Sequence, residues 1–198
     1  MLTAASQPSS PRPGLGARDR LVLLALVTTG LRRAELIALE WRDVDLDGPR
    51  PSLLVRRGKG GRPRRQPLAS ELARELALVR SAREPSLPEP VFCGLAGGRL
   101  QPTILAAIIR RAAERGGLQK RVTAHTLRHT AATWLRQGSG DARLVAEYLG
   151  HADLSTVSRY AHVAASELHD AADVLAEAAG LLPAFADGAL DGQLAFDT

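Results

Sequence analysis

His125 and Arg128 stand three residues apart in the run H-T-L-R-H, and His151 and Tyr160 follow in G-H-A-D-L-S and S-R-Y. Two imidazoles, a guanidinium and a phenol this close in sequence are the parts needed to hold a phosphodiester and attack its phosphorus. On a helix, residues at i and i+3 share a face. A helix beginning at His125 would add its free backbone N–H groups and make an anion site of the two. The plainer alternative is a histidine beside a helix cap and a surface arginine. His129 points about 100° around the helix from its neighbour and reads as a structural hydrogen-bonding group.

The first third of the chain repeats the arrangement. Arg32 and Glu35 are again at i and i+3, just after Gly30. The helix dipole disfavours a cation at that end, so Arg32 is either aimed at an anion with Glu35 orienting it or paired with Glu35 at the surface. Lys59 sits at the tip of G-K-G-G, where a flexible ammonium could swing onto a leaving oxygen and protonate it. As a lone signal it reads as a solvated hairpin lysine. His151 follows Gly150 at a helix end, a step also compatible with simple C-capping.

The two tyrosines separate by periodicity. Tyr148 shares a helical face with Leu144 and Val145 and belongs to the core, whereas Tyr160 lies at the edge of the stripe Leu154, Val157 and Ala161. With an ordinary pKa near 10, a phenol is about a thousandth ionised at neutral pH and needs cationic neighbours or a base to attack.

These side chains require a framework, and the sequence supplies one in outline. Residues 1–16 are rich in Ser, Pro and Gly and read as a disordered leader or linker stub. The apolar run that follows Ala17 predicts a buried helix ending at Gly30, and R-R-A-E-L-I-A-L-E-W a second, short one. From Arg42 to Pro67 the pattern turns to V-D-L, S-L-L-V-R and R-R-Q-P-L, separated by D-G-P and G-K-G-G, which predicts a three-stranded antiparallel sheet. Ser70 is placed to cap a helix ahead of E-L-A, and Pro102 to open one closed by Gly116 and Gly117. Further helices are predicted over 125–137, 141–149, 153–162 and 165–179. The fold class is mainly α with one small antiparallel sheet.

Composition limits the possibilities. A chain of 198 residues with 45% hydrophobic residues suits a single domain, and its one cysteine, Cys93, excludes an internal disulfide framework. No apolar run is long enough to span a bilayer, so a soluble, cytoplasmic protein without membrane contact is expected. The net charge of +5 conceals an asymmetry: residues 1–160 hold all 26 basic residues against 14 acidic ones, and seven acids follow Tyr160. Arg50, Arg56, Arg57, Lys59, Arg62, Arg64 and Arg65 occur in one stretch without an acid, a density that suits a nucleic-acid backbone or a solvated charged loop. Arginine supplies 24 of the 26 positive charges, which makes Lys59 and Lys120 stand out.

In order, the motifs T-G-L-R-R-A-E-L, G-K-G, H-T-L-R-H, L-G-H-A-D-L-S-T and R-Y-A-H-V resemble the catalytic domain of the tyrosine recombinases, the phage-integrase and chromosome-dimer-resolving family, over residues 17–165. The resemblance implies that Tyr160 attacks the scissile phosphate to give a 3′-phosphotyrosyl link and a free 5′-hydroxyl. It implies that Arg32 and Arg128 hold the non-bridging oxygens and that Lys59 is the general acid. His125 would contact the phosphate and the tyrosine proton, His151 would hydrogen-bond the phosphate, and Glu35 would be an accessory acid. Arg56, Arg57, Arg62, Arg64 and Arg65 are assigned to the DNA backbone. Neither metal nor other cofactor is implied, since one phosphodiester is exchanged for another of similar energy.

The expected partner is double-stranded DNA, bound by a homo-tetramer whose subunits are monomers when free. The family also carries an N-terminal helical core-binding domain, whereas here 16 residues precede the first helix. An excised domain, a minimal enzyme and a truncated reading frame would each look like this, and weak, strongly salt-dependent DNA binding is expected. Residues 166–198 form an acidic helix and tail with an apolar stripe at Leu168, Ala171, Ala172, Leu175 and Ala178, suited to packing in cis or on a neighbouring protomer. Two other functions fit the same residues: relaxation of supercoiled DNA by the same chemistry, and a non-catalytic DNA-binding remnant of an integrase.

Overall fold

The computed structural model describes residues 15–56, 62–150 and 165–180. Its first helix, α1 (Leu15–Thr29), is the hub. Seven consecutive apolar residues, Leu21 to Val27, leave it no polar face, and all seven are buried because other helices surround it. The Thr28 and Thr29 hydroxyls are buried too and donate back to the carbonyls of Leu24 and Ala25. Gly30 ends the helix with φ +59°, its N–H donating to Leu26 O at 3.1 Å. The next helix, α2 (Arg33–Ala38), starts at once, followed by a 3-10 turn at Trp41–Asp43.

The sheet has the expected form. Strands β1 (Val44–Asp45), β2 (Ser52–Val55) and β3 (Arg64–Pro67) pair antiparallel in the order β1-β2-β3, with Leu53 opposite Gln66 and Val55 opposite Arg64. Helix α3 (Ser70–Arg83) follows, then α4 (Pro102–Arg115), with Pro102 in its first turn. In α4, Leu105, Ile108, Ile109, Ala112 and Ala113 are buried at the i, i+3, i+4, i+7, i+8 spacing of an amphipathic helix. Helix α5 (Ala124–Ser139) is capped by the Thr123 hydroxyl, which accepts from Thr126 N–H at 3.2 Å, and α6 (Ala142–Tyr148) by Asp141. Helix α7 (Ala165–Gly180) completes the described structure.

Two packing arrangements correct or extend the sequence reading. Ser70 does not cap α3: Ala69 is the N-cap, and the Ser70 N–H donates to the Asp173 carboxylate of α7 at 2.9 Å. A carboxylate is the stronger acceptor and suits the positive end of the helix dipole, so it displaces the local hydroxyl. That carboxylate is in place because α7 packs in cis against α1, α3, α5 and α6. Ala171, Ala172, Leu175 and Ala176 are buried there with Leu135, Leu144 and Tyr148. The predicted helix over 153–162 lies outside the described residues. Among those residues, no helix is long and apolar enough to cross a membrane.

Candidate active site

The turn at Gly30 sets out the site. Arg32 is the N-cap of α2, with its backbone N–H donating to Glu35 Oε2 and its Nη1 to Glu35 Oε1, both at 2.8 Å. The i, i+3 spacing predicts this pairing, but Glu35 is not at the surface. It is 8% exposed, and Arg64 approaches from β3, Nη1 to Oε1 at 2.9 Å and Nη2 to Oε2 at 3.0 Å. Four donors thus saturate one carboxylate. Burial alone would raise the Glu35 pKa, but the hydrogen bonds and charge of Arg64 and Arg32 outweigh it and hold the carboxyl at about 2.

Arg128 occupies a position in α5 that periodicity reserves for the core. Leu127, Arg128, Ala131 and Leu135 are the buried residues of that helix. Its guanidinium, 7% exposed, donates from Nη1 to Gly30 O and from Nη2 to Leu149 O. Two of its five N–H groups are thereby used, which fixes the plane and leaves three for a ligand. Burial, then the nearby charges of Arg32 and Arg64, push its pKa down to about 10, against the opposing pull of Glu35. It stays charged at neutral pH. His125, in the first turn of α5, is exposed and lines the same open cleft as Arg32 and Arg128, a space of about 1090 Å³.

Arg32 and Arg64 share the Glu35 carboxylate, and Arg128, held by two backbone carbonyls, lies within reach of their charges, so three guanidiniums from three separate segments stand against one carboxylate. Sequence reasoning missed Arg33, Arg110 and Arg121, which also line the cleft, and singled out Lys120 without giving it a role. The cluster Q-K-R at 119–121, just ahead of α5, was the available signal.

The hairpin arginines divide. Arg62 is exposed, whereas Arg56 pairs with Asp43 at 2.7 Å and Glu40 at 3.2 Å, and Arg65 reaches Ser52 at 3.0 Å and Asp45 at 3.4 Å. Arg64 turns inward, for a reason of strand parity: with Gln66, and with Leu53 and Val55 opposite them, it lies on the buried face of the sheet. Lys59, Arg57, His151 and Tyr160 lie outside the described residues. Gly150, immediately before His151, closes α6 with φ +65° and N–H to Glu147 O at 3.0 Å. Tyr148 is fully in the core, as its periodicity predicts: it is 2% exposed, its hydroxyl donates to Thr28 O at 2.6 Å, and burial pushes its pKa up. Among the described residues, no group of three His, Cys, Asp or Glu side chains could hold a metal ion.

The phage integrase family model matches residues 2–167. The chain belongs to the phage integrase family. Tyrosine recombinase XerC of Xanthomonas campestris pv. campestris (strain B100) is 40% identical over 149 residues, 75% of this chain and 45% of the relative. The XerC of Xylella fastidiosa (strain 9a5c) is 39% identical over 161 residues, 80% of this chain and 54% of that one. The chain therefore spans about half the length of these relatives. Among solved structures, the XerH recombinase bound to its difH substrate before cleavage superposes with a TM-score of 0.65 at 31% identity, over 82% of this chain and 47% of that one. XerA recombinase gives 0.65 at 31% identity, over 85% and 59%. The helical body with its three-stranded sheet is thus the fold of the tyrosine recombinase catalytic domain.

Proposed function

We propose that this integrase-family domain cleaves and rejoins DNA strands in site-specific recombination through a 3′-phosphotyrosyl intermediate. The observation that carries the proposal is the surplus of positive charge where Arg32 and Arg64 pair with Glu35 and Arg128 stands close by. Guanidiniums partly withdrawn from water and left under-compensated favour an anion that completes the site. A phosphodiester, gaining charge as it becomes pentacoordinate, is such an anion and is bound more tightly in the transition state. The family relationship and the DNA-bound XerH neighbour support duplex DNA as its source.

In this mechanism the Tyr160 oxygen forms a bond to phosphorus as the bond from phosphorus to the 5′-oxygen breaks. Arg32 and Arg128 hold the non-bridging oxygens, His125 receives the tyrosine proton, His151 hydrogen-bonds the phosphate and Lys59 supplies a proton to the departing 5′-oxygen. Glu35 aims Arg32. The exposed arginine Arg62, with Arg57 and the outer guanidiniums of Arg56 and Arg65, contacts the backbone away from the scissile bond. The chain acts as a monomer free in the cytoplasm and as a homo-tetramer on DNA. No external energy source is needed, because the phosphotyrosyl ester retains the energy of the bond it replaces.

A nicked suicide duplex, which traps the covalent adduct, tests this. Wild-type protein is expected to form the adduct and Tyr160→Phe to form none. Tyr148→Phe, which loses one buried hydrogen bond worth about 1 kcal/mol, still forms it. A wild-type protein that gives no adduct, even when supplied with a full-length relative, sinks the proposal and leaves a DNA-binding remnant. Relaxation of supercoiled plasmid without recombinant products would instead mark a topoisomerase.

A further inference from the structure

Arg64 belongs to none of the motifs that carry the family resemblance, yet it sits at the centre of the described site. It is opposite Val55 in the β2–β3 ladder, the last pair of that ladder. Its side chain, 17% exposed, turns away from solvent and closes a two-pronged ion pair on Glu35. Its Nε is buried without a hydrogen-bond partner among the described residues. Gly150 lies against the same guanidinium: a Cβ at that position would stand 2.9 Å from Nε and 3.0 Å from Cδ. Only glycine tolerates both that approach and the φ of +65° there. One side chain thus touches the carboxylate that aims Arg32 and the turn that leads into His151.

The charge balance gives this contact a consequence. With Arg32 alone, the ionised Glu35 would form a neutral pair, and the field of Arg32 toward a bound phosphate would be largely cancelled. With Arg64 on the same carboxylate, the trio keeps one positive charge while Glu35 still fixes the direction of Arg32. We infer that Arg64 is a positioning residue for DNA cleavage: it satisfies Glu35 so that Arg32 keeps its charge for the scissile phosphate. The inference rests on the transesterase reading above.

The test is single-turnover adduct formation on the nicked duplex by the full chain, with DNA affinity and melting temperature measured for each variant. Arg64→Gln is expected to slow adduct formation about 10–100-fold, less than the loss typical of a donor that touches the reacting group, with Kd changed by less than about 3-fold. Arg64→Lys recovers part of the rate, because it restores the charge without the fork. The decisive variant is Arg64→Gln combined with Glu35→Gln. Neutralising the carboxylate releases Arg32, so the double variant is expected to cleave faster than Arg64→Gln alone. A wild-type rate in Arg64→Gln overturns the inference, as does a double variant no faster than the single, or rates that follow only the folded fraction. If the wild-type protein forms no adduct, the transesterase reading itself fails and the inference falls with it.

Discussion

Arg128 donates to the carbonyl oxygen of Gly30, two residues ahead of Arg32. Arg32 and Arg128 are therefore tied through one turn of backbone, although 96 positions separate them in the sequence. The same guanidinium also holds Leu149 O, so the ends of α1 and α6 converge on one side chain. Any change that moves the Gly30 turn moves the Arg128 guanidinium with it.

Gly30→Ala is the most direct way to disturb this arrangement. The residue has φ +59°, and a Cβ there would collide with the buried Leu149 side chain. Left-handed strain and overpacking each cost about 1–3 kcal/mol. For a protein of this size that lowers Tm by about 2–4 °C per kcal/mol. Adduct formation is expected to fall further than the loss of folded protein explains, because Leu149 O is one of the two anchors of Arg128. A variant with wild-type Tm and rate would show that the turn does not locate the arginine.

The Glu35 ion pairs make stability depend on pH in a defined window. The carboxyl is held at about 2 in the folded protein against 4.5 for the free group. A depressed carboxylate stabilises the fold fully above its unfolded pKa and loses that contribution as pH falls toward the folded value. The loss is expected between about pH 4.5 and pH 2 and is on the order of 3 kcal/mol. Urea unfolding across this range should show a steeper decline for wild type than for Glu35→Gln, whose residue 35 cannot titrate. Parallel curves would contradict the buried, ionised carboxylate.

Much of this geometry was legible in the sequence, and the parts that were not share a physical cause. The sheet was marked by its turns, D-G-P and G-K-G-G, and Tyr148 by its register with Leu144. Both signals are local. The cap on α3 was not visible, because Asp173 lies 103 residues from Ser70 and no short-range rule can rank it above the serine. Arg64 could not be told from Arg62 and Arg65 by charge alone. Which arginine faces inward depends on strand parity, and R-R-Q offers no apolar alternation from which that parity could be read. Arg128 gave the opposite difficulty, a charged residue in a core stripe, and only the carbonyls of Gly30 and Leu149 explain how it is tolerated there.

Helix α7 contributes stability in cis. Leu175 is fully buried, and Asp173 caps α3. Leu175→Ala is expected to cost about 2–5 kcal/mol, the range for buried leucines that leave a cavity. Because the helix packs within its own chain, melting of the free protein should not change with protein concentration. A Tm that rises with concentration would mean instead that α7 is exchanged between protomers and that association is linked to folding.

The salt dependence of DNA binding tests whether the outer wall of the cleft meets the backbone. Lys120 and Arg121 are exposed, and neither depends on a carboxylate for its place in the described structure. Each phosphate contact releases condensed counterions and adds about 0.9 to the slope of log K against log salt. Replacing both with alanine is therefore expected to reduce the slope by about 2 when both residues touch the backbone. The affinity loss should be largest at low salt, shrink as salt rises, and be equal for specific and random duplexes, since a phosphate contact carries no base information. Fluorescence anisotropy with a short duplex over a salt series measures this. A loss confined to one DNA sequence would assign these two residues to base edges, and an unchanged slope would place the DNA elsewhere on the protein.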